Sequence, residues 1–330
     1  MPATVDDRAA RDIFRGIIGR NRAPLARAIS MAEDEAPGAA TLLSLAYTAR
    51  KGARLTGITG APGVGKSTLV DVMVSLSRLN GRSVGVIAVD PSSPFTGGAI
   101  LGDRVRMRSE HSLDPEVFFR SLASRGHLGG VSRHTGDVIA LMDAFGFDDI
   151  FVETVGAGQS EVDIMKYTHT VVVVLAPGMG DDVQAIKAGI LEIGDVFCVN
   201  KADLPGADKT RREIEMMLML GVKDGKAWVP PVVQAVAASP DFRGVPEVMN
   251  GVRAHQEYLV SSGLLEEKNR RSYRAVLEEY VRLLTVERIL DAASARGDLE
   301  HVLEDMVQGR KGPFEAASLL VSKYTGPVLQ

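Results

Sequence analysis

The chain carries 330 residues, 45% of them hydrophobic and 24% charged, enough apolar material for one large core or for two domains. A net charge of -4, from 38 Lys and Arg against 42 Asp and Glu with no basic stripe, excludes a nucleic-acid binder. One cysteine cannot close an internal disulfide, the start Met1 to Asp7 has no secretory pattern, and the most apolar window, Val171 to Ala176, is far short of a bilayer span, so a cytoplasmic protein without membrane contact is expected.

Residues 1–50 read as a helical N-terminal segment. Ile13, Phe14, Ile17 and Ile18 make one apolar face, Leu25, Ala26 and Ile29 a second, and Leu42, Leu43, Leu45 and Ala46 a third, with breaks at Pro24 and Ala36-Pro37-Gly38. The arginines here, Arg8, Arg11, Arg15, Arg20, Arg22 and Arg27, alternate with acids and predict a solvated face. Residues 51–255 change pattern. The runs Leu55 to Thr59, Val84 to Val89, Val117 to Phe119, Ile150 to Val152, Val171 to Leu175, Val196 to Val199 and Val232 to Val236 are continuous rather than alternating. Strands buried on both faces read so, which predicts an α/β fold with a mainly parallel sheet flanked by helices.

Residues 256–330 return to helical spacing at Tyr273, Val276, Leu277, Tyr280, Leu283 and Leu284, then at Ile289, Leu290, Leu299, Val302, Leu303 and Met306 with a turn near Gly297 between them, and last at Leu319 to Val321. This arm has more apolar surface than a terminal hairpin hides by itself, which predicts a homodimer. The six histidines are scattered without metal-ligand spacing and are expected at the surface or in loops, while Cys198, inside an apolar run, is expected in the core.

Between the first apolar run and a helix-like segment stands Gly60-Ala61-Pro62-Gly63-Val64-Gly65-Lys66-Ser67, closed by Thr68 and complete as G-x-x-x-x-G-K-[ST]. Glycines let bare amides approach phosphate oxygens, and the following helix adds free N–H groups and the positive end of its dipole. Lys66 is expected on the β- and γ-phosphates and Ser67 on Mg2+. Such a motif marks a P-loop NTPase, the alternative being a glycine-rich turn.

Further along, Asp149 to Gly156 delivers an acid, Glu153, to the edge of the sheet, where it would orient Mg2+ through water, and Gly156 could donate to the γ-phosphate. Asp90 and Asp103 are further metal or water-positioning candidates, or else a cap and a turn residue. Lys66, Asp103, Glu153 and Gly156 are thus the candidate catalytic groups. Asn200-Lys201-Ala202-Asp203 follows a strand directly and reads guanine: one carboxylate accepts from both N1–H and the exocyclic amine, whereas adenine would leave Asp203 unpaired. Lys201 would lie along the base, Asn200 would tie this loop to the P-loop, and Ala237-Ala238-Ser239 would offer backbone amides to the base edge.

With these stretches, Asp90-Pro91-Ser92-Ser93-Pro94 and above all Glu153-Thr154-Val155-Gly156-Ala157-Gly158-Gln159-Ser160-Glu161 in view, the chain resembles the MeaB-like GTPase chaperones of adenosylcobalamin-dependent methylmalonyl-CoA mutase over nearly its whole length. The resemblance implies a homodimeric GTPase of the SIMIBI class, using GTP/GDP and Mg2+, that binds the mutase, gates cofactor loading and limits its inactivation. It also implies a switch in Ala176 to Asp182, for which a capped turn is the plain alternative. Two other readings stay open. A nickel-insertion GTPase would need a metal-binding Cys/His cluster that the sequence does not offer, and an ATP-dependent small-molecule kinase would use the P-loop without Asp203.

Overall fold

The computed structural model describes residues 5–91, 111, 113–124, 134–154, 163–178, 190–221 and 228–325. Three helices open the chain: α1 (Val5–Ile18), α2 (Arg22–Glu33) and α3 (Ala39–Thr48). Asn21 caps α2 by accepting from Ala23 N at 3.1 Å, so Pro24 sits in the first turn of that helix, where a missing N–H costs nothing. The break falls one turn earlier than the proline suggests. Gly38, at φ 86°, enters α3 from the turn read at Ala36 to Gly38.

Seven strands follow among the described residues: β1 (Arg54–Thr59), β2 (Val84–Pro91), β3 (Val117–Ser124), β4 (Asp149–Thr154), β5 (Thr170–Leu175), β6 (Val196–Val199) and β7 (Val232–Gln234). They pair in the order β3-β2-β4-β1-β5-β6-β7, and every pairing is parallel. All residues of β4 and β5 are buried, as the continuous apolar runs require. Since β1 is central, its carboxyl end opens in the middle of one edge, with Ile58 beside Glu153 of β4 and Thr59 beside Val173 of β5.

Helix α4 (Lys66–Leu79) covers one face with Leu69, Val70, Val72, Met73 and Val74, which pack with Ile58, Phe151, Val172 and Val196. Each such side chain contributes roughly 1.5–3 kcal/mol on burial. Cys198 lies in this cluster, and burial pushes its thiol up to about 12, which leaves it inert at neutral pH. On the other face α5 (His134–Phe145) is buried at every residue, because α2 and α3 pack over it.

The N-terminal arginines divide between solvent and this packing. Arg8, Arg11 and Arg15 face water, but Arg20 lies 5.2 Å from the Phe145 ring and donates to Gly146 O at 2.6 Å, and Arg22 donates to Asp114 O at 3.1 Å. Asp143, fully buried, collects the Lys51, Gly52 and Ala53 amides at 2.9–3.0 Å and the Arg50 Nε at 2.7 Å. One carboxylate thereby fixes the entry into β1.

Short α6 (Ile190–Ile193) precedes β6, α7 (Ala207–Gly221) precedes β7, and α8 (Val245–Ser261) follows it; α9 (Leu264–Ala295) comes next. The histidine expectation fails at the amino edge of the sheet. His255 of α8 is 2% exposed and stands between Thr170 Oγ1, 2.9 Å from Nδ1, and Asp195 Oδ1, 3.2 Å from Nε2. The other oxygen of Asp195 accepts from Val171 N at 2.9 Å and Lys268 Nζ at 3.2 Å, and Lys268 also reaches His169 O at 2.6 Å. His169 accepts from Leu55 N through Nδ1 at 3.3 Å and meets Asn269 Oδ1 at 3.0 Å. Desolvation, with Lys268 nearby, pushes His255 down to about 3, and desolvation pushes His169 down to about 4. These imidazoles are neutral structural ties; His255 is buried within a helix, against the expectation, while His169 lies half-buried in the loop before β5. His111 and His134 are buried as well.

The chain divides into two compact units, Met1–Ser272 and Tyr273–Gln330. In the second, the end of α9 packs with α10 (Asp298–Val307) and α11 (Pro313–Thr325) through a small core of Ile289, Ala293, Val302, Ala316 and Leu320. Leu277, Val281 and Leu284, at helical spacing on α9, are 63%, 55% and 62% exposed. Among the described residues no helix is long and apolar enough to cross a membrane.

Candidate nucleotide site

Phosphate chemistry asks for donors that no side chain obstructs, and the turn after β1 is built for that. At Gly60, φ 141°, a Cβ would lie 2.1 Å from Val174 O, and at Gly65, φ 94°, one would lie 2.4 Å from Asn200 Nδ2. Neither position accepts a side chain. Gly65 is also the N-cap of α4 and gives it no side-chain hydrogen bond, so the first-turn amides converge on the loop with the positive end of the helix dipole. Val64, 1% exposed, plugs the loop into the core.

Lys66, 6% exposed, lies back along the turn with Nζ 2.6 Å from Gly60 O and 3.0 Å from Ala61 O. Ser67 Oγ donates to Glu153 Oε1 at 2.5 Å, and Glu153 is 3% exposed. Strand β4 thus brings an acid from 86 positions away onto the start of α4. A hydroxyl and a carboxylate at the end of a phosphate loop are the hard oxygen donors that Mg2+ takes.

The second half of the site comes from the exits of β6 and β7. Asn200, 3% exposed, donates to Val64 O at 2.9 Å and accepts from Ala237 N at 3.1 Å. Lys201, held at φ 56°, donates to Gly63 O at 2.8 Å. A left-handed Lys is strained and persists because three contacts fix it: that bond, the Asn200 pair, and Ala202 N on Ala235 O at 3.0 Å. Asp203 is exposed and makes no side-chain hydrogen bond or ion pair among the described residues. Ala238 is exposed, while Ser239 closes its own turn, donating to Val236 O at 2.7 Å and accepting from Arg243 N at 3.0 Å. The Ala237 amide is engaged by Asn200.

Thus Gly60, Ala61, Pro62, Gly63, Val64, Gly65, Lys66, Ser67, Thr68 and Glu153 are brought together with Asn200, Lys201, Asp203 and Ala237 to Ser239 at one edge. Asp90 is a strand residue, with its Cα beside that of Ala123, rather than a cap or turn; its side chain lies outside the described residues. So do Asp103, Gly156 and the 179–189 stretch. What reading the sequence missed is a pair of tying acids, the buried Asp143 and the half-buried Asp195. Their one local signal is an aspartate near a helix end or directly before an apolar strand.

A parallel sheet whose central strand feeds a phosphate loop, with a base-reading tetrapeptide one loop away, defines a P-loop nucleotide-binding protein. The chain belongs to the family described as methylmalonyl Co-A mutase-associated GTPase MeaB, whose model matches residues 25–298, and it is a GTPase. It is 44% identical over 308 residues to a GTPase-designated protein of Pyrococcus abyssi, covering 93% of this chain and 94% of that one. It is 34% identical to the GTPase ArgK of Escherichia coli, covering 90% and 89%, and 31% identical to the mitochondrial methylmalonic aciduria type A homolog of Mus musculus, covering 94% and 79%. A crystal structure of an LAO/AO transport system kinase covers 98% of this chain and 100% of its own, with a TM-score of 0.71 at 22% identity, a likeness of fold.

Proposed function

We propose that this protein is a cytoplasmic GTP-dependent chaperone that binds methylmalonyl-CoA mutase, gates adenosylcobalamin loading and protects the mutase from inactivation. The family description supports the client, and one observation carries the nucleotide: Asp203, exposed and without a partner among the described residues, stands on a loop clamped to the P-loop by Asn200 and Lys201. A free carboxylate there suits guanine and is unpaired against adenine, which weighs against an ATP-dependent kinase.

In this reading the loop amides and Lys66 bind and orient the phosphates, and Lys66 exchanges its two carbonyl partners for phosphate oxygens. Ser67 would hold Mg2+ directly and Glu153 through water, with Asp90 and Asp103 as further candidate oxygen donors; the ion, when bound, would offset charge on the phosphates. Gly156 donates to the γ-phosphate. Ala157 stands where Ras-like enzymes carry a water-orienting Gln, so turnover is slow alone and rises with the client. Ala176 to Asp182, which follows β5 in the sequence, is the switch that reports nucleotide state.

The unit beyond Tyr273 makes the homodimer through Leu277, Val281 and Leu284. Leu277→Glu with Leu284→Glu should run as a monomer in light scattering; an unchanged dimer refutes that assignment. Co-purification from extract with a non-hydrolysable GTP analogue tests the client. A cobalamin-dependent mutase should come down, and its absence, with other proteins captured instead, would count against the chaperone.

A further inference from the structure

On the amino edge of the sheet, opposite the P-loop, two cavities of about 290 and 370 Å³ share Arg54, Arg253 and Gln256 as a common wall, so they form one trough beside α8. Its charge is unbalanced. Arg54 is exposed, and its guanidinium makes no hydrogen bond or ion pair among the described residues; Arg253 donates to the neutral Asn250. Arg82 on the same wall shows the contrast, held by Asp149 through bonds of 2.6 and 3.0 Å. Among the described residues the other carboxylate lining the trough is Glu257, exposed and one helical turn beyond Arg253.

A second, independent feature is Ser77 of α4. It is 1% exposed, lines the first cavity, and its Oγ has no partner among the described residues. Serines inside helices ordinarily return to the preceding turn, as Ser75 does to Asp71 O at 3.1 Å. A buried hydroxyl that forgoes this bond is costly unless something in the cavity takes it. Beside it, Phe151 and Met249 make the wall apolar.

We propose that this trough binds a small organic anion, a carboxylate or phosphate on an apolar chain, with its charge between Arg54 and Arg253, a polar atom on Ser77, and its chain against Phe151 and Met249. Guanidinium forks match both head groups, and the volume is that of a small-molecule site. The site lies on the opposite edge from the nucleotide and is independent of the client assignment.

Titration calorimetry of the full chain with hexanoate, hexyl phosphate, inorganic phosphate, hexanol and hexylamine tests it. At least one amphiphilic anion should bind, the tighter naming the head group, while the alcohol and the amine should not. Arg54→Gln and Arg253→Gln should each weaken binding about tenfold. Ser77→Ala should weaken it too while raising the melting temperature of the free protein. Retained GTP binding shows that each variant is folded. The proposal falls if neither amphiphilic anion binds below about 10 mM, if hexanol binds as well, if both arginine variants bind like the parent, or if GTP competes with the probe.

Discussion

Asp203 at the carboxyl edge of the sheet stands exposed without a side-chain partner among the described residues, while Asp195 at the amino edge accepts from Val171 N and Lys268 and faces His255. Both acids flank the same short strand, β6. One edge spends glycines and a left-handed lysine to keep donors and an acceptor pointing outward; the other buries imidazoles and a carboxylate in mutual contact. An unpaired polar group belongs where a ligand completes it, and a satisfied one where it ties elements together.

The largest break in that contrast is expected from Asp195→Ala. It takes the acceptor from His255 and Val171 N and leaves Lys268 with His169 O as its remaining partner, and should lower unfolding free energy by about 3–5 kcal/mol in denaturant titration, with GTP affinity of the folded fraction unchanged. Lys66→Ala should do the reverse, slowing single-turnover GTP hydrolysis about 100- to 1,000-fold with little change in denaturation midpoint. Asp203→Asn should weaken GTP by roughly 1.5–3 kcal/mol, one to two decades in calorimetry, and favour xanthosine nucleotides, because the amide donates to the C2 oxygen that replaces the guanine amine. Unchanged GTP affinity would remove Asp203 from the base site.

The last effect is graded by pH and is small over any single pH unit. His169 and His255 are held below their ordinary 6.5, at about 4 and about 3, so between those values the unfolded chain binds more protons than the folded one. Stability is therefore full above about pH 6.5 and should fall as pH drops, by about 1 kcal/mol per pH unit for each imidazole. His255→Gln should flatten the slope of midpoint against pH; a slope like the parent's would place the acid sensitivity elsewhere.

The two edges also differ in how far the sequence disclosed them. The P-loop and Asn200 to Asp203 are contiguous strings whose chemistry depends on neighbours a few residues away, and the strands were legible because burial on both faces writes an unbroken apolar run. The strand order was not legible, since it depends on which crossovers the helices take. The amino-edge cluster gathers Leu55, His169 with Thr170, Asp195, His255, and Lys268 with Asn269 from five separate stretches, and no short window of sequence contains more than two of its polar members. Asp195 in particular was hidden as the first letter of an apolar run. The Arg20 and Arg22 contacts were missed for a related reason: charge alternation through α1 and α2 reads as solvation until Phe145 and Glu116 are placed beside Arg20, and Phe118 and Asp114 beside Arg22.

The stitch between Gly63 and Lys201, and between Val64 and Asn200, joins segments separated by 138 and 136 positions. During synthesis the phosphate half of the pocket emerges long before its base-reading half, and Asn200 gains its second brace when residue 237 arrives. A growing chain therefore cannot hold guanine nucleotide until nearly the whole sheet has assembled, and GTP, by binding the finished edge alone, favours complete molecules over partial ones.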